Sequence, residues 1–383
     1  MLSRIVNMKE TYSFAFNFSM DEYYEFLSEQ HSEELLPNTI LQLIAAVFGM
    51  FGNTLVLLLY GKYIQDKSGS RYFIPALAFV DLVGCLSNAV HYYLDDTVYY
   101  NYPGLSLCKT LYFLILFTGG FSAHLILVIA LQRYLFICRP FGQQMTKKLR
   151  RISVSIIFLF SFGYSLPSSR LIGRELISNE LISSQQVISC RSNDFSFKGH
   201  RVMIWYLGIL LLFILLNIGV TSALYIPVIR VLYKSFSHGT PNDRNHRDYN
   251  ANTRSEERRI SDMENIDMEE RPKQDVRRNN FEHCNKSIDD RNRKLKARQR
   301  ITIMFLVIII VYIASYLTTL VTQIFAFAER SVMDLKGYRL NILYFCLRFN
   351  LLNHIANPYI YWIFDIKCRQ ELRKLSRYCI FKH

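Results

Sequence analysis

Long apolar windows alternate with shorter charged ones along most of the chain. Leu35 to Tyr60, Thr110 to Gln132, Ile152 to Ser169, Val202 to Ile229 and Ile301 to Ala328 contain no Asp, Glu, Lys or Arg. Two more windows carry one charge each: Asp81 in Tyr72 to Leu94, and Arg348 in Leu340 to Phe364. A bilayer core about 30 Å thick is crossed by roughly 20 apolar residues of helix. A helix is the natural solution there, because it satisfies its own backbone hydrogen bonds where water cannot. Beyond the last window, Phe364, Cys368, Leu372 and Leu375 recur at helical spacing. They make one apolar face of a helix lying along the membrane, with Lys367, Arg369, Arg373 and Lys374 for the headgroups. The pattern predicts an all-α membrane protein: a seven-transmembrane helix bundle with a short amphipathic eighth helix.

Charge then gives the orientation. The chain holds 45 Lys and Arg against 31 Asp and Glu, a formal charge of +14. In a soluble protein such an excess suggests nucleic acid. Here it is segregated. With the N-terminus outside, the inner segments 61–71, 132–151, 234–300 and 364–383 hold 32 basic residues. The outer segments 1–34, 94–107, 170–201 and 329–339 hold 10. Without the long segment 234–300 the inner side still has 15, so the positive-inside rule holds and no nucleic acid is needed.

The organisation follows. Residues 1–34 are an extracellular tail, 35–233 carry helices one to five, and 234–300 form the third cytoplasmic loop. Residues 301–363 carry helices six and seven, and 364–383 the amphipathic helix and cytoplasmic tail. The tail has no continuous apolar core, so the first span is expected to act as the insertion signal. The third loop, with 17 basic and 13 acidic residues, is expected to be mostly disordered. No internal repeat is present.

Four motifs fall on the spans in order: Gly52-Asn53, Leu77-Ala78-Phe79-Val80-Asp81, Gln132-Arg133-Tyr134 and Asn357-Pro358-Tyr359-Ile360-Tyr361. Together the chain resembles the rhodopsin-like G-protein-coupled receptors over roughly residues 35 to 380. Cys138-Arg139-Pro140-Phe141 is most similar to neuropeptide receptors of the cholecystokinin-like kind.

The resemblance implies roles for named residues. Asp81, Ser122, Asn353 and Asn357 stand where the family holds an allosteric sodium ion; the other reading is a polar hydrogen-bond network around a protonated Asp81. No other cofactor is implied. Arg133, Tyr134, Tyr225, Tyr316, Pro358 and Tyr361 stand at the coupling and switch positions that face a heterotrimeric G protein and, in turn, arrestin. Cys108 lies 25 residues before Arg133, the family's spacing, and the resemblance implies its disulfide to Cys190. Asn17, in Asn17-Phe18-Ser19, is an outward sequon for glycosylation. Cys379, just beyond the amphipathic face, is a palmitoylation candidate that would add to membrane-lipid contact.

There are also departures from the family pattern. Gln132 replaces an acid, the region around Arg298 is basic where span six has one, and the fourth window lacks the usual Trp. Asn217 stands where span five has Pro. The span-six motif, usually Phe-x-x-Cys-Trp-x-Pro, reads Tyr312-Ile313-Ala314-Ser315-Tyr316-Leu317-Thr318, so Tyr312 replaces the Phe, Tyr316 the toggle Trp and Thr318 the kink Pro. A helix without that Pro regains a hydrogen bond and should run straighter. Without its usual acids, Arg133 is expected to be held loosely and to give raised basal signalling.

Ligand classes narrow by what is missing. Retinal needs a lysine in the seventh window, which has none. Amine receptors of the family use an Asp where this chain has Ile115. A long polar outer loop at 170–201, suited to a hairpin lid, and the acidic tyrosine cluster Asp21-Glu22-Tyr23-Tyr24-Glu25 favour an extracellular peptide. His91, Tyr92, Gln323 and Arg348 are the ligand-binding candidates. Arg348 should meet an anion, either a ligand carboxylate or its own neighbours Asp95 and Asp96. The alternatives are a chemosensory or lipid receptor of the same fold, or a multi-span transporter, which would show repeated halves. No metal-ligand spacing, phosphate loop or nucleophile constellation points to an enzyme. His124 and His354 read as packed histidines.

Overall fold

The computed structural model describes residues 20–64, 69–99, 102–176, 186–192, 197–237, 271–328 and 335–381. Helix α1 (Met20–Leu58) opens the chain and ends in a π turn, Leu59–Tyr63. It is followed by α2 (Ile74–Thr97), α3 (Leu105–Cys138) and α4 (Lys147–Ser165). The outer loop contains a two-stranded antiparallel hairpin, β1 (Ile172–Leu176) and β2 (Gln186–Ser192), packed on α3. Then come α5 (Phe197–Ser237) and α6 (Arg271–Ala328). The seventh span is made of α7 (Tyr338–Leu347) and α8 (Leu351–Phe364), and α9 (Ile366–Phe381) is the amphipathic helix.

Several boundaries differ from the apolar windows for local reasons. Helix α4 starts at Lys147 because the Thr146 hydroxyl accepts from Leu149 N at 3.2 Å, an N-cap. Helix α1 begins at Met20, inside the segment read as a tail. Helix α6 begins at Arg271, thirty residues before its window and inside the loop expected to be unstructured. That stretch is rich in Lys and Arg, which are good helix formers. Residues 238–270 of the loop lie outside the described residues. Helix α6 runs unbroken through Thr318, as the loss of the kink Pro predicts.

The seventh span is interrupted at Arg348 to Asn350. Three i→i+3 bonds tighten the chain there: Leu351 N to Arg348 O at 3.1 Å, Leu352 N to Phe349 O at 3.0 Å and Asn353 N to Asn350 O at 3.1 Å. Asn350 N donates to the Thr319 hydroxyl of α6 at 2.9 Å, so a neighbouring helix covers the break.

The helices close into a ring. Helix α1 packs on α2 and α8, and α8 on α6; α3 sits inside, touching α2, α4, α5 and α6. Leu77, Leu125, Ile126, Met304, Phe305 and Ile308 form the core of the half that holds Arg133. Outward faces carry bare apolar side chains, such as Phe51 at 69% exposure and Leu159 at 68%. A soluble protein rarely exposes so much apolar surface; in hydrocarbon it costs nothing. Among the described residues six helices are long and apolar enough to cross a membrane, and the broken seventh span completes the set. Gly52 lets α1 approach α8: a Cβ there would stand 2.8 Å from Pro358 Cβ. Beside it Asn53 Nδ2 donates to His354 O at 2.8 Å, fixing the two helices together.

Candidate functional site

Polar groups form a discontinuous spine through the bundle. At the outer end, Arg348 projects from the break in the seventh span. Its guanidinium grips Asp96 with two bonds, Nη1 to Oδ2 at 2.8 Å and Nη2 to Oδ1 at 2.6 Å. Nη2 also donates to Asp95 Oδ2 at 3.0 Å, and Thr39 of α1 donates to Asp96 Oδ2 at 2.6 Å. The same guanidinium lies 4.6 Å from the Tyr92 ring and 4.8 Å from Tyr344. Arg348 and Asp96 are both buried, so only such a fork, with its bonds fulfilled, makes the charges tolerable. Arg348 thus meets its own neighbours rather than standing free for a ligand. Two carboxylates against one guanidinium leave the cluster with a net negative charge.

Of the other outer candidates, Tyr92 belongs to this cluster through its ring and donates to Asn350 Oδ1 at 3.4 Å, and the buried His91 ring lies 4.7 Å from Tyr112. Gln323, near the end of α6, is exposed and takes no part in this cluster.

Midway, Asp81 of α2 is fully buried and has three hydrogen-bond partners. Ser122 Oγ lies 3.0 Å from Oδ1, and Asn357 Nδ2 donates to Oδ2 at 2.7 Å. The third partner is His354 Nδ1, 2.8 Å from Oδ1. Asn353 joins one step removed, its Nδ2 donating to Ser122 Oγ at 3.1 Å. All four residues named from the sequence therefore converge, and His354 is the one it missed. The signal was present: His354 lies three residues before Asn357, hence on the same helix face. His124, by contrast, sits as a packed histidine, its Nδ1 at 2.6 Å from Gly120 O.

Next to this network, two departures from the family pattern meet each other. Tyr312 donates to Asn217 Oδ1 at 2.8 Å, linking α6 to α5. One turn on, Tyr316 donates to Gly119 O of α3 at 3.1 Å, its ring 5.1 Å from that of Tyr312.

At the inner end Arg133 is buried against Phe305 of α6, 4.6 Å from the ring centroid. Its Nη2 donates to Gln132 Oε1 at 3.2 Å and to Ser70 O. Gln132 Nε2 donates in turn to Gly69 O at 3.0 Å. The next residue, Arg71, is clamped by Asp365, Nε to Oδ2 at 2.5 Å and Nη2 to Oδ1 at 3.0 Å. Tyr60 donates to the same carboxylate at 2.7 Å. Burial pushes the Asp365 carboxyl up, but the Arg71 guanidinium and the Tyr60 hydroxyl outweigh it and hold it below the usual carboxylate range. Nothing in the sequence marked Asp365 or Arg71. Tyr225 donates to Thr302 O at 3.1 Å; the Tyr361 hydroxyl is buried with no hydrogen-bond partner. Tyr134 is partly buried against the core, and Pro358 is buried against Gly52.

The profile of the 7 transmembrane receptor (rhodopsin family) matches residues 52–361, from the Gly52-Asn53 pair to Tyr361. The chain belongs to the rhodopsin family of seven-transmembrane receptors. It is therefore a multi-pass membrane receptor and not an enzyme. The receptor is similar to neuromedin-U receptor 2 of Mus musculus, 28% identical over 162 residues, 40% of each chain. It is similar to a bombesin receptor of Bombina orientalis, 24% identical over 226 residues, 55% of each chain. The match thus spans about half or less of these relatives' length. Squid rhodopsin shares the fold, with a TM-score of 0.61 at 18% identity over 91% of this chain and 87% of that one.

Cys108 of the receptor is disulfide-bonded. Cys190 lies in β2 and Cys379 in α9, with side chains outside the described residues; Asn17 lies outside them altogether.

Proposed function

We propose that the receptor binds an extracellular peptide and passes the signal to a heterotrimeric G protein at the inner end of the bundle. The observation that carries this is the polar spine. It starts at the Arg348 cluster at the outer end, continues through Asp81 and Tyr316, and ends at Arg133. Each station joins different helices, so a movement of the helices at the outer mouth would alter contacts at every level down to the cytoplasmic face. The peptide class is supported by the outer-loop hairpin and by relatives named for the neuropeptides neuromedin-U and bombesin.

Around that reading stand the family's accessory features. The N-terminus faces outward at the plasma membrane, with Asn17 glycosylated. Cys108 is assigned to Cys190, since β2 packs on α3. Arg133, Tyr134, Tyr225, Tyr316, Pro358 and Tyr361 form the switch and coupling set, and arrestin shares their cytoplasmic surface. Cys379 takes the palmitoyl group rather than Cys368. Burial pushes the Cys368 thiol up to about 11, and the residue is covered.

The test is a peptide-library screen on transfected cells, reading calcium and cyclic AMP, with Arg133→Ala expressed at the surface to a similar level. A peptide that activates the parent and fails on the mutant supports the reading. Activation by lipid or odorant fractions, with none by peptides, would move the receptor to the chemosensory or lipid class.

A further inference from the structure

The Asp81 network raises the question of what neutralises a carboxylate held at mid-membrane. The resemblance implied a sodium ion, and the donor set does not fit one. A hard cation needs several oxygens aimed at it. Around Asp81 only its own carboxylate and the Ser122 hydroxyl offer oxygens, while Asn357 presents its NH2 and the His354 ring fills the side next to Oδ1. Asn353 also turns its NH2 inward, onto Ser122 Oγ, and its Oδ1 is left without a partner. One such carbonyl oxygen suits a bridging water, not a coordination shell.

We propose that the His354 imidazole occupies the position that a sodium ion would take, and that this receptor binds no sodium at Asp81 while His354 is present. Three features hold the ring there. Nδ1 is 2.8 Å from Asp81 Oδ1. Gly84, one turn along α2 from Asp81, leaves the notch the ring fills: a Cβ there would stand 2.9 Å from Nδ1 and 3.0 Å from Cε1. The main chain is pinned behind it, with Asn53 Nδ2 donating to His354 O at 2.8 Å and Cys85 Sγ donating to it at 3.7 Å. The ring excludes a cation wherever the shared proton sits. If Asp81 is ionised, the ring N–H donates to it; if Asp81 is protonated, it donates to the ring and carries no charge for a cation.

The prediction is tested on the purified full-length receptor, without ligand or G protein, so its outcome is separate from that of the signalling reading. Thermal unfolding is followed in sodium chloride and in N-methylglucamine chloride at equal ionic strength. The parent should show no sodium-specific shift. His354→Ser places a small oxygen-bearing side chain where the ring was, and should gain about 2–4 °C in sodium. Adding Asp81→Asn to it should abolish that gain. If His354→Ser does not fold, His354→Asn carries the same test. A sodium-specific rise in the parent that Asp81→Asn removes would overturn the proposal. So would the absence of a gain in both His354 variants, because the imidazole would then not be what keeps sodium out.

Discussion

At the scale of single residues, unusual side chains are matched to one another. Asn217 replaces a proline and Tyr312 a phenylalanine, and each is the other's partner at 2.8 Å. A buried neutral hydrogen bond contributes about 0.5–1.5 kcal/mol, and the group left behind costs about 1–3 kcal/mol. Tyr312→Phe should therefore lower the melting temperature of the purified receptor by several degrees. Asn217→Ala should do the same, and the double mutant should be little worse than either. Additive losses would show that the two residues act apart. Arg133 gives a second case. Its contact with Phe305 couples α3 to the helix whose swing the family uses for activation. A desolvated cation–π contact is worth about 2 kcal/mol, an exposed one about 0.5–1. Phe305→Leu should raise ligand-free G-protein activation several-fold per receptor at the surface. An unchanged basal level would mean that the ring packs on Arg133 without restraining it.

At the scale of elements, the turn at 69–71 connects two things that look unrelated along the chain. Its carbonyls at Gly69 and Ser70 hold Gln132 and Arg133, and Arg71 is held by Asp365 between α8 and α9. The amphipathic helix is thereby tied to the coupling arginine through one short turn. Removing one partner of a buried ion pair costs about 3–5 kcal/mol. Asp365→Asn should speed amide exchange in α9 and in the 69–71 turn at least about tenfold. The pH dependence has a definite sign. The folded carboxyl lies below its unfolded value near 4, so its stabilisation is full above that value and is lost as pH falls through the lower, folded one. Exchange protection of α9 in the parent should accordingly persist at pH 5. Protection already lost there would contradict the pairing.

At the scale of the whole molecule, topology and the outer disulfide are the testable features. Protease added to intact cells should cut within residues 1–34 and spare 234–300. Cleavage of the long loop on sealed cells would reverse the orientation and remove the proposed coupling face from the cytoplasm. If Cys108 and Cys190 share one bond, Cys108→Ala, Cys190→Ala and the double mutant should lose surface expression to nearly the same extent. Additive losses would assign Cys108 another partner.

What the amino-acid sequence determined by itself is the bundle. Runs free of charge dictate spans, because an unpaired charge or an open backbone is costly in hydrocarbon wherever it falls. Asp81 was readable for a related reason, since a charged side chain in such a run must turn inward, whereas Arg133 and Asn357 were readable through the motifs that resemble the receptor family. Only the tertiary structure decided which groups they meet. Apolar windows define the stretch that crosses the membrane but neither the ends of the helix nor its rotation, and the windows gave no sign of the break at Arg348 to Asn350. That break carries Arg348 onto Asp95 and Asp96 instead of toward a ligand. His354 looked like a packed histidine until the Gly84 notch brought its ring against Asp81, 273 residues away along the chain. Asp365 reaches Arg71 across 294 residues. These partners lie on different helices, and their meeting depends on how closely small residues let those helices approach, a property of pairs of faces that no single stretch of sequence contains.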